Sequence, residues 1–496
     1  RLSNAEYDRS VSALLGTDQR PGHSFAPDKR QSGFTSNDAQ RVDAVLAQQL
    51  FAAARQLAAE ARGKLDKLAP CEEGQAQSDC AEHFITRFGA QAYRRPLTDE
   101  EHAGLLSLYR EGAQDASYED GIELVLRALL QSAGFLYVTE LGEAGVKKTG
   151  ALPLTSYELA SALSYLMIGG PPDAPLLTAA ASGALSDPEE RQAQLLRLRT
   201  DFPESRAQLV RIVREWLELD RSEVTAKDIA FYPMYDEYGP AFARESHDFI
   251  AAVLDAEDPA GDLHTLLAAD WTVADPALAE FYAGTALEDG RVSLSARRGI
   301  LNQGAFLAVH AHAYESSPVL RGAAIARRIA CMPVPDPGTL GIRVMAPPND
   351  PTLSTRQRFT AHTADPACAQ CHTVIDALGD AFERYDGMGA YRDTDNEVPV
   401  DSATDIHLGT DFDGAYQDSN ALSLALANSA RVQECLARHL FRAATARSPD
   451  KAGAAASEDA FIEDWHNLPE ATRGNVVDTL SRLVSSRLFT HRGVEP

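Results

Sequence analysis

The sequence lacks any apolar run long enough to cross a bilayer. A membrane-spanning helix needs about 18 or more consecutive apolar residues, and the longest candidates here are short amphipathic stretches such as residues 159–168. We therefore expect no membrane span in this chain.

Basic residues are scarce relative to acidic ones. The 496 residues include 46 Lys and Arg against 72 Asp and Glu, for a formal net charge of −26. A surface of this sign repels phosphate backbones and anionic lipids. The composition argues against nucleic acid as a partner and favours a basic protein partner.

The signatures of several enzyme classes are also missing. The chain has no Gly-x-Ser-x-Gly elbow, no His-Glu-x-x-His pair and no phosphate-binding loop. Hydrolase, zinc-protease and nucleotide-driven activities therefore have no support from motifs.

Cysteine is sparingly used, with six in the chain, two of which lie in one short motif. The other four are an even number, so they can form two disulfides or remain free thiols. Cys71 and Cys80 bracket a polar loop and are the favoured first pair, which leaves Cys331 with Cys435 by elimination. Disulfides would indicate an oxidising compartment.

The chain opens at Arg1 without an initiating Met or a charged-then-apolar leader. We interpret it as a mature or trimmed form whose export signal is missing. The expected location is extracytoplasmic, in the periplasm, on the outer-membrane surface or secreted.

Helix-start signals recur along the chain. Capping boxes precede amphipathic runs, and apolar residues in those runs repeat at helical spacing, as a core face requires. We predict a mainly α fold of several small helical domains packed together, with a C-terminal domain that contains a small β-hairpin. The predicted capping pairs are Ser3 with Glu6, Thr98 with Glu101, Thr155 with Glu158, Ser186 with Glu189 and Ser354 with Gln357.

Turn and strand signals divide this helical pattern. Pro-rich stretches near residues 333–337 and 347–351 mark linkers. In residues 396–404, Val398 and Val400 alternate with polar residues, which predicts the hairpin. The predicted modules are an N-terminal helical module with a disulfide loop (1–92), a small helical module (93–150), a helical module (151–285), a Ser-Pro-motif module with a Pro-rich linker (286–350), and a C-terminal domain with the last helices (351–496).

One motif carries specific chemistry, the Cys-x-x-Cys-His at Cys368, Cys371 and His372. Haem attachment requires two thiols spaced to reach two vinyl groups and a His next to the second thiol as proximal iron ligand. Half of a zinc site would need two further ligands at short spacing, and a thioredoxin-like pair would need a βαβ setting. The motif therefore predicts one covalent haem c, with His372 on the iron. The C-terminal segment 351–496 is accordingly predicted to be a c-type haem domain that contains the small β-hairpin.

The second axial ligand is left open by the sequence. Met388 lies between two glycines that could let the backbone approach the macrocycle. His310 and His312 precede the Ser-Pro motif, and His362 and His407 flank the haem motif. Each of these side chains is a candidate distal ligand.

Short motifs occur in order along nearly the whole chain, at residues 1–7, 93–98, 128–132, 135–137, 157–160, 298–301 and 317–322. The haem segment continues through Asp376, Gly379, Glu383, Asp386, Gly389 and Arg392. This pattern resembles the planctomycete-type and myxobacterial multi-domain cytochrome-domain proteins, a group whose role is largely undefined.

The resemblance implies export, a c-type haem and a mostly helical build, and it implies no substrate. A His near His310 recurs in related sequences, so His310 is the first-ranked candidate for the distal position, where it would be the second protein ligand of the iron. His312 and Met388 rank behind it. The chain departs from the pattern at Ala377 and Asp380, where Pro and Phe are commoner.

Three functions are open at this stage. Electron transfer to or from a protein partner is favoured, with both axial positions of the haem filled by protein. The first alternative is a peroxidase- or oxygenase-like haem enzyme whose open distal pocket His310, His312 and Arg321 could furnish. The second is a surface-assembled or polymer-binding scaffold with an accessory haem.

A calcium site is a further candidate, less favoured than a solvated hairpin. The acidic stretch at residues 393–401 offers hard oxygen ligands. It lacks the Gly and the terminal Glu of the helix-loop-helix calcium motif.

Overall fold

The computed structural model describes residues 1–142, 151–256, 261–335, 338, 347, 350–360, 366–447 and 452–493. The chain is mainly α-helical, as predicted, and it forms two compact units. Unit 1 comprises Arg1–Gln208, Phe441–Phe461 and Ser481–Pro496, and unit 2 comprises Leu209–Leu440 and Ile462–Leu480.

Unit 1 is built on helices, and those between residues 4 and 136 share an apolar core. The core is formed by side chains such as Tyr7, Phe84, Phe88 and Phe135, all nearly inaccessible to water. Its elements are α1 (Asn4–Leu15), α2 (Ala44–Arg62), α3 (Leu65–Leu68), α4 (Gln77–Tyr93), α5 (Asp99–Ala113), α6 (Tyr118–Leu129), α7 (Ala133–Leu136), β1 (Ala151–Pro153), α8 (Ser156–Met167), α9 (Ala174–Ala181) and α10 (Pro188–Asp201).

Unit 2 contains one 20-residue helix, several shorter helices and small strands. Helix α11 (Pro203–Trp216) enters it, followed by α12 (Tyr235–Leu254), α13 (Leu263–Ala268), β2 (Trp271–Thr272), α14 (Pro276–Phe281), β3 (Thr285–Ala286), β4 (Val292–Ser293), α15 (Gly304–Val309), α16 (Pro318–Ala324), α17 (Thr355–Thr360), α18 (Pro366–Gly379), β5 (Thr394–Asp395), β6 (Val398–Pro399), β7 (Thr404–Ile406), β8 (Gly414–Tyr416) and α19 (Ser419–Ala427).

The C-terminal segment runs through both units. It consists of α20 (Ala430–Thr445), α21 (Ala452–Trp465), α22 (Glu470–Arg473), α23 (Val476–Ser485), α24 (Arg487–Thr490) and β9 (His491–Gly493). Within unit 1, β9 pairs with β1 in an antiparallel ladder.

Most predicted capping boxes are present. The side chains of Ser3, Thr98 and Thr155 each accept a hydrogen bond from the backbone N–H three residues on, and the Glu carboxylate at that position accepts one from the backbone N–H of the capping residue. The prediction at Ser186 is wrong in detail, because Asp187 caps α10 and Pro188 opens it. Proline is favoured at that first helical position, where no N–H is needed.

The predicted hairpin is present, with a second hairpin beside it in the chain. Strand β5 pairs with β6, and the turn residues Asn396 and Glu397 both adopt positive φ, as tight hairpin turns require. Strands β7 and β8 form the second hairpin, which the sequence did not indicate. Strands of two or three residues are too short to show an alternating pattern.

Both predicted disulfides are formed. Cys71 bonds to Cys80 in unit 1, and Cys331 bonds to Cys435 in unit 2. Cys368 and Cys371 remain free thiols. In the described part of the chain, no helix has both the length and the apolar character that a bilayer crossing would need.

A buried polar cluster lies in unit 2 around Glu245. The Thr272 hydroxyl donates to Glu245 Oε1 at 2.8 Å, and the Tyr282 hydroxyl donates to Oε2 at 2.6 Å. Tyr282 in turn accepts a hydrogen bond from the Gly304 N–H at 2.8 Å. Burial raises the pKa of Glu245 to about 7.

This carboxyl predicts a pH-dependent stability. The pKa of Glu245 is raised from 4.5 to about 7 in the folded protein, so the folded state holds a proton that the unfolded state releases. Its contribution is present below about pH 4.5 and is lost as the pH rises to about 7. We expect urea unfolding of the wild type to lose up to about 3 kcal/mol more stability than Glu245→Gln over this interval. Parallel pH profiles for the two proteins would contradict this assignment.

Candidate haem site

The two free thiols lie on one helix. Cys368 and Cys371 are in α18, three residues apart, and both are partly exposed. Positions three apart on a helix share one face. The helix therefore presents two accessible thiols on the same side, with His372 following directly.

His372 is oriented by a carboxylate one turn further along α18. Its Nδ1 lies 3.0 Å from Oδ1 of Asp376, and this hydrogen bond is the main cause that raises the pKa of His372. A carboxylate on one ring nitrogen fixes the tautomer and strengthens the other nitrogen as a metal ligand. This role of Asp376 was not predicted from the sequence, although the i, i+4 spacing on a helix could have indicated it.

Helix α18 crosses α16 at a contact between two glycines. A Cβ on Gly322 would lie 1.9 Å from the Ile375 carbonyl oxygen, and a Cβ on Gly379 would lie 1.9 Å from that of Pro318. The two backbones are thus in direct contact. This contact fixes the C-terminal half of the thiol-bearing helix against α16.

Arg321, predicted to help furnish a haem pocket, lies beside this contact and is fully buried. Its guanidinium donates to the backbone carbonyls of Phe382 at 3.0 Å, Tyr385 at 2.7 Å, Leu307 at 3.3 Å and Asp386. Burial lowers the pKa of Arg321 to about 10, so the side chain stays cationic at neutral pH. The described contacts make Arg321 a clamp on the segment that follows α18.

Asp380 is one of the two departures from the related sequences. Burial raises the pKa of this carboxyl to about 7, and Arg356 lies 3.1 Å from it. The Arg356 side chain therefore compensates for a buried acid at this position.

Met388 lies in a tight loop after α18. The Asp386 carboxylate accepts hydrogen bonds from the N–H groups of Met388 at 2.9 Å and Ala390 at 2.8 Å. A Cβ on Gly387 would lie 2.4 Å from the Tyr232 hydroxyl, and Gly389 has a φ of +95°. The glycines beside Met388 thus serve protein contacts and loop conformation, and the Met388 side chain is 5% exposed.

His310, the first-ranked distal candidate, is buried at the end of α15. Its ring lies 4.6 Å from that of Phe306, and its Nε2 is 3.4 Å from the Leu217 carbonyl oxygen. Burial lowers the pKa of His310 to about 4, so the imidazole is neutral at pH 7. Among the described contacts of His310, none is with His372 or the two thiols, and its iron ligation stays a prediction.

The other distal candidates occupy different surroundings. His312 stacks on Tyr314 with a centroid separation of 6.1 Å, and burial lowers the pKa of His312. His407 is exposed, with its Nε2 3.0 Å from Asp405. His362 lies outside the described residues.

The acidic hairpin considered for calcium is paired with arginines. Asp393 lies 3.2 Å from Arg384, Asp395 lies 2.8 Å from Arg392, and Asp401 lies 3.2 Å from Arg356. Three carboxylates of the stretch thus have arginine partners within the protein.

Profiles of four domain families match the chain. Each is described as a protein of unknown function: PSD3 (DUF1587) over residues 1–63, PSD5 (DUF1595) over 80–140, PSD4 (DUF1592) over 154–283 and PSCyt3 (DUF1588) over 297–395. These matches agree with the resemblance to the planctomycete-type group. The PSCyt3 segment includes α16, α18 and the Cys-x-x-Cys-His motif. Neither the curated proteins nor the solved structures yielded a match.

Proposed function

We propose that this chain is an exported mono-haem c-type cytochrome that transfers electrons to or from a protein partner. The observation that carries the proposal is the selective state of the cysteines. Four of the six are paired in two disulfides, whereas Cys368 and Cys371 remain free thiols on one helix, followed by a carboxylate-oriented His372.

The donor set fits a covalent haem. Each thiol would add across one vinyl group, the sulfur forming the new C–S bond and its hydrogen going to the neighbouring carbon, so that no further reactant is consumed. His372 would bind the iron through Nε2, because Nδ1 is engaged by Asp376. When bound, the haem supplies a one-electron redox centre whose potential depends on axial ligands and burial.

Direct chelation of a metal ion by this motif has less support. Within the described residues, a close group of three or more metal-ligating side chains occurs at Cys331, Cys435 and His439, and the thiol–histidine set of α18 does not form one. A zinc site requires its ligand atoms to converge on one point. Two thiols and a His spread along one helix suit attachment to a macrocycle better.

Charge and cysteine chemistry support the partner and the location. The net charge of −26 favours a basic redox partner through complementary electrostatics. Two disulfides are typical of an oxidising, extracytoplasmic compartment.

Absorption spectra with and without CO test the electron-transfer role. We expect a low-spin protein that binds CO slowly, because a protein ligand fills the distal position. His310→Ala should convert it to a form that binds CO readily, while His312→Ala and Met388→Ala should leave the spectrum nearly unchanged.

Other spectral results would redirect the proposal. If Met388→Ala alone opens the iron, the ligand is Met388 and the histidine assignment is wrong. If the wild type is high-spin and binds CO fast, a haem enzyme replaces the electron carrier.

Asp376→Asn tests the orientation of His372. The carboxylate makes the imidazole a stronger donor and favours ferric iron, so its neutralisation should raise the reduction potential by about 50 mV, near the 59 mV that corresponds to a tenfold change for one electron. Asp405→Asn, which changes an exposed His–Asp pair outside the motif, is the matched control and should leave the potential unchanged. Equal potentials in all three proteins would contradict the role of Asp376.

A further inference from the structure

A second cluster of metal-ligating atoms lies in unit 2, away from the Cys-x-x-Cys-His motif in the sequence. The Sγ atoms of Cys331 and Cys435 and a ring nitrogen of His439 all lie within 4.8 Å of one another. Cys435 and His439 are buried and Cys331 is partly exposed. Among the described residues, this is the one such group of three.

The fold presents these side chains to one point. Cys435 and His439 are four residues apart on α20, so they share one face of the helix. Cys331 follows a π-helical turn at Ile325–Ile329 and adopts a left-handed backbone with a φ of 46°. π-Helical turns and non-glycine residues in this conformation are enriched at functional sites.

The cluster has an aromatic cover. The Trp216 ring lies 6.0 Å from the His439 ring, and the Trp216 Nε1–H donates to the Arg328 carbonyl at 2.6 Å. Cys435 Sγ lies 3.4 Å from that same carbonyl oxygen. The ligand atoms are therefore held in a shielded environment beside an indole that can report on them.

We propose that reduction of the Cys331–Cys435 disulfide converts this cluster into a binding site for one soft d10 cation, Cu⁺ or Zn²⁺. Two electrons and two protons from a thiol reductant break the S–S bond and give two thiols. The cation then replaces the two thiol protons, which pass to solvent, and is held by two thiolates and the His439 imidazole. Thiolate and imidazole are ligands that Cu⁺ and Zn²⁺ both accept.

In this proposal, the redox state of the disulfide controls whether the cation binds. Sulfur atoms joined to each other are not thiolates and offer only weak ligation, since the thiolate is the metal-binding form of cysteine. The oxidised chain should therefore leave the cation in solution, and the reduced chain should bind it. Redox state, rather than cation concentration alone, would control occupancy.

The test uses the full-length haem-loaded protein with Cys71→Ser and Cys80→Ser, so that no other disulfide yields thiols on reduction. After treatment with a phosphine reductant, which competes poorly for metal, Zn²⁺ and Cu⁺ are titrated separately against chromophoric chelators. We expect one equivalent to bind after reduction and none before it. His439→Gln should weaken binding at least about tenfold, since loss of an outer-shell partner alone costs about 10–100-fold.

Two controls keep the outcome decisive if the His439 variant does not fold. Cys331→Ser/Cys435→Ser should bind no cation in either redox state. Co²⁺ added to the reduced parent should give the charge-transfer absorption of two thiolates, as a difference from the same protein without Co²⁺. Binding to the reduced parent no tighter than to the double serine variant would overturn the proposal, as would a folded His439→Gln protein with unchanged affinity.

Discussion

Gly322→Ala is expected to destabilise unit 2 by about 3 kcal/mol or more, the upper range for overpacking a core. The new Cβ would lie 1.9 Å from the Ile375 carbonyl oxygen and 3.0 Å from the Gly379 N. Both neighbours are backbone atoms, so no side-chain rotation can relieve the contact. Helix α18 would have to move away from α16, and urea unfolding should show the loss.

Gly104→Ala is the matched control for this change. Gly104 lies within helix α5, and a Cβ there meets nothing within 4 Å. Because both substitutions restrict the unfolded chain equally, Gly104→Ala should stabilise the protein by about 0.5–1 kcal/mol. Opposite signs for the two variants would isolate the helix contact, and a Gly322→Ala protein as stable as the control would contradict the contact between α16 and α18.

Arg321→Ala should be the second strongly destabilising change, at about 3–5 kcal/mol. The substitution removes a buried cation and leaves four backbone carbonyls without this donor. It also leaves Glu383, whose carboxylate lies 3.8 Å from the guanidinium, with less compensation in a buried site. Thermal unfolding followed by near-ultraviolet circular dichroism would measure the loss.

Arg327→Ala provides the comparison on the next turn of the chain. Arg327 is exposed and donates to the carbonyls of Val334 and Pro335. Exposed substitutions of this kind usually change stability by no more than about 0.5 kcal/mol. Similar losses in the two variants would mean that Arg321 does not clamp the segment after α18.

Local features of this fold could be predicted from the sequence because their partners lie close along the chain. The capping pair of Thr98 and Glu101 and the hairpin turn at Asn396 are each encoded within a few residues. The Cys71–Cys80 disulfide likewise closes a short polar loop. Such features are readable because the chain itself fixes their geometry.

Apart from the Cys331–Cys435 disulfide, which followed by elimination from the cysteine count, contacts between distant segments could not be predicted. Gly322 and Gly379 carry no signal that they touch each other, and Arg321 reads as a candidate pocket residue until its carbonyl partners are known. The contact of His310 with the Leu217 carbonyl also joins segments that are far apart in the sequence. Tertiary packing decides these pairings, and a single sequence does not record it.

The candidate haem site likewise combines residues recognisable from local spacing with residues whose position depends on tertiary packing. Cys368, Cys371 and His372 are recognisable from spacing alone. The oriented state of His372 depends on Asp376, which spacing permits but does not require. The distal side of the proposed haem would be formed by residues far from the motif in the sequence, and the distal iron ligand stays a prediction.

Covalent attachment of haem is tested most directly by acid–acetone extraction of the purified full-length protein followed by intact-mass measurement. We predict that the haem stays with the chain, which then weighs one haem more than the polypeptide. In Cys368→Ser/Cys371→Ser the haem should be extracted completely. A wild-type protein that loses its haem on extraction, or that contains none, would contradict the c-type cytochrome assignment.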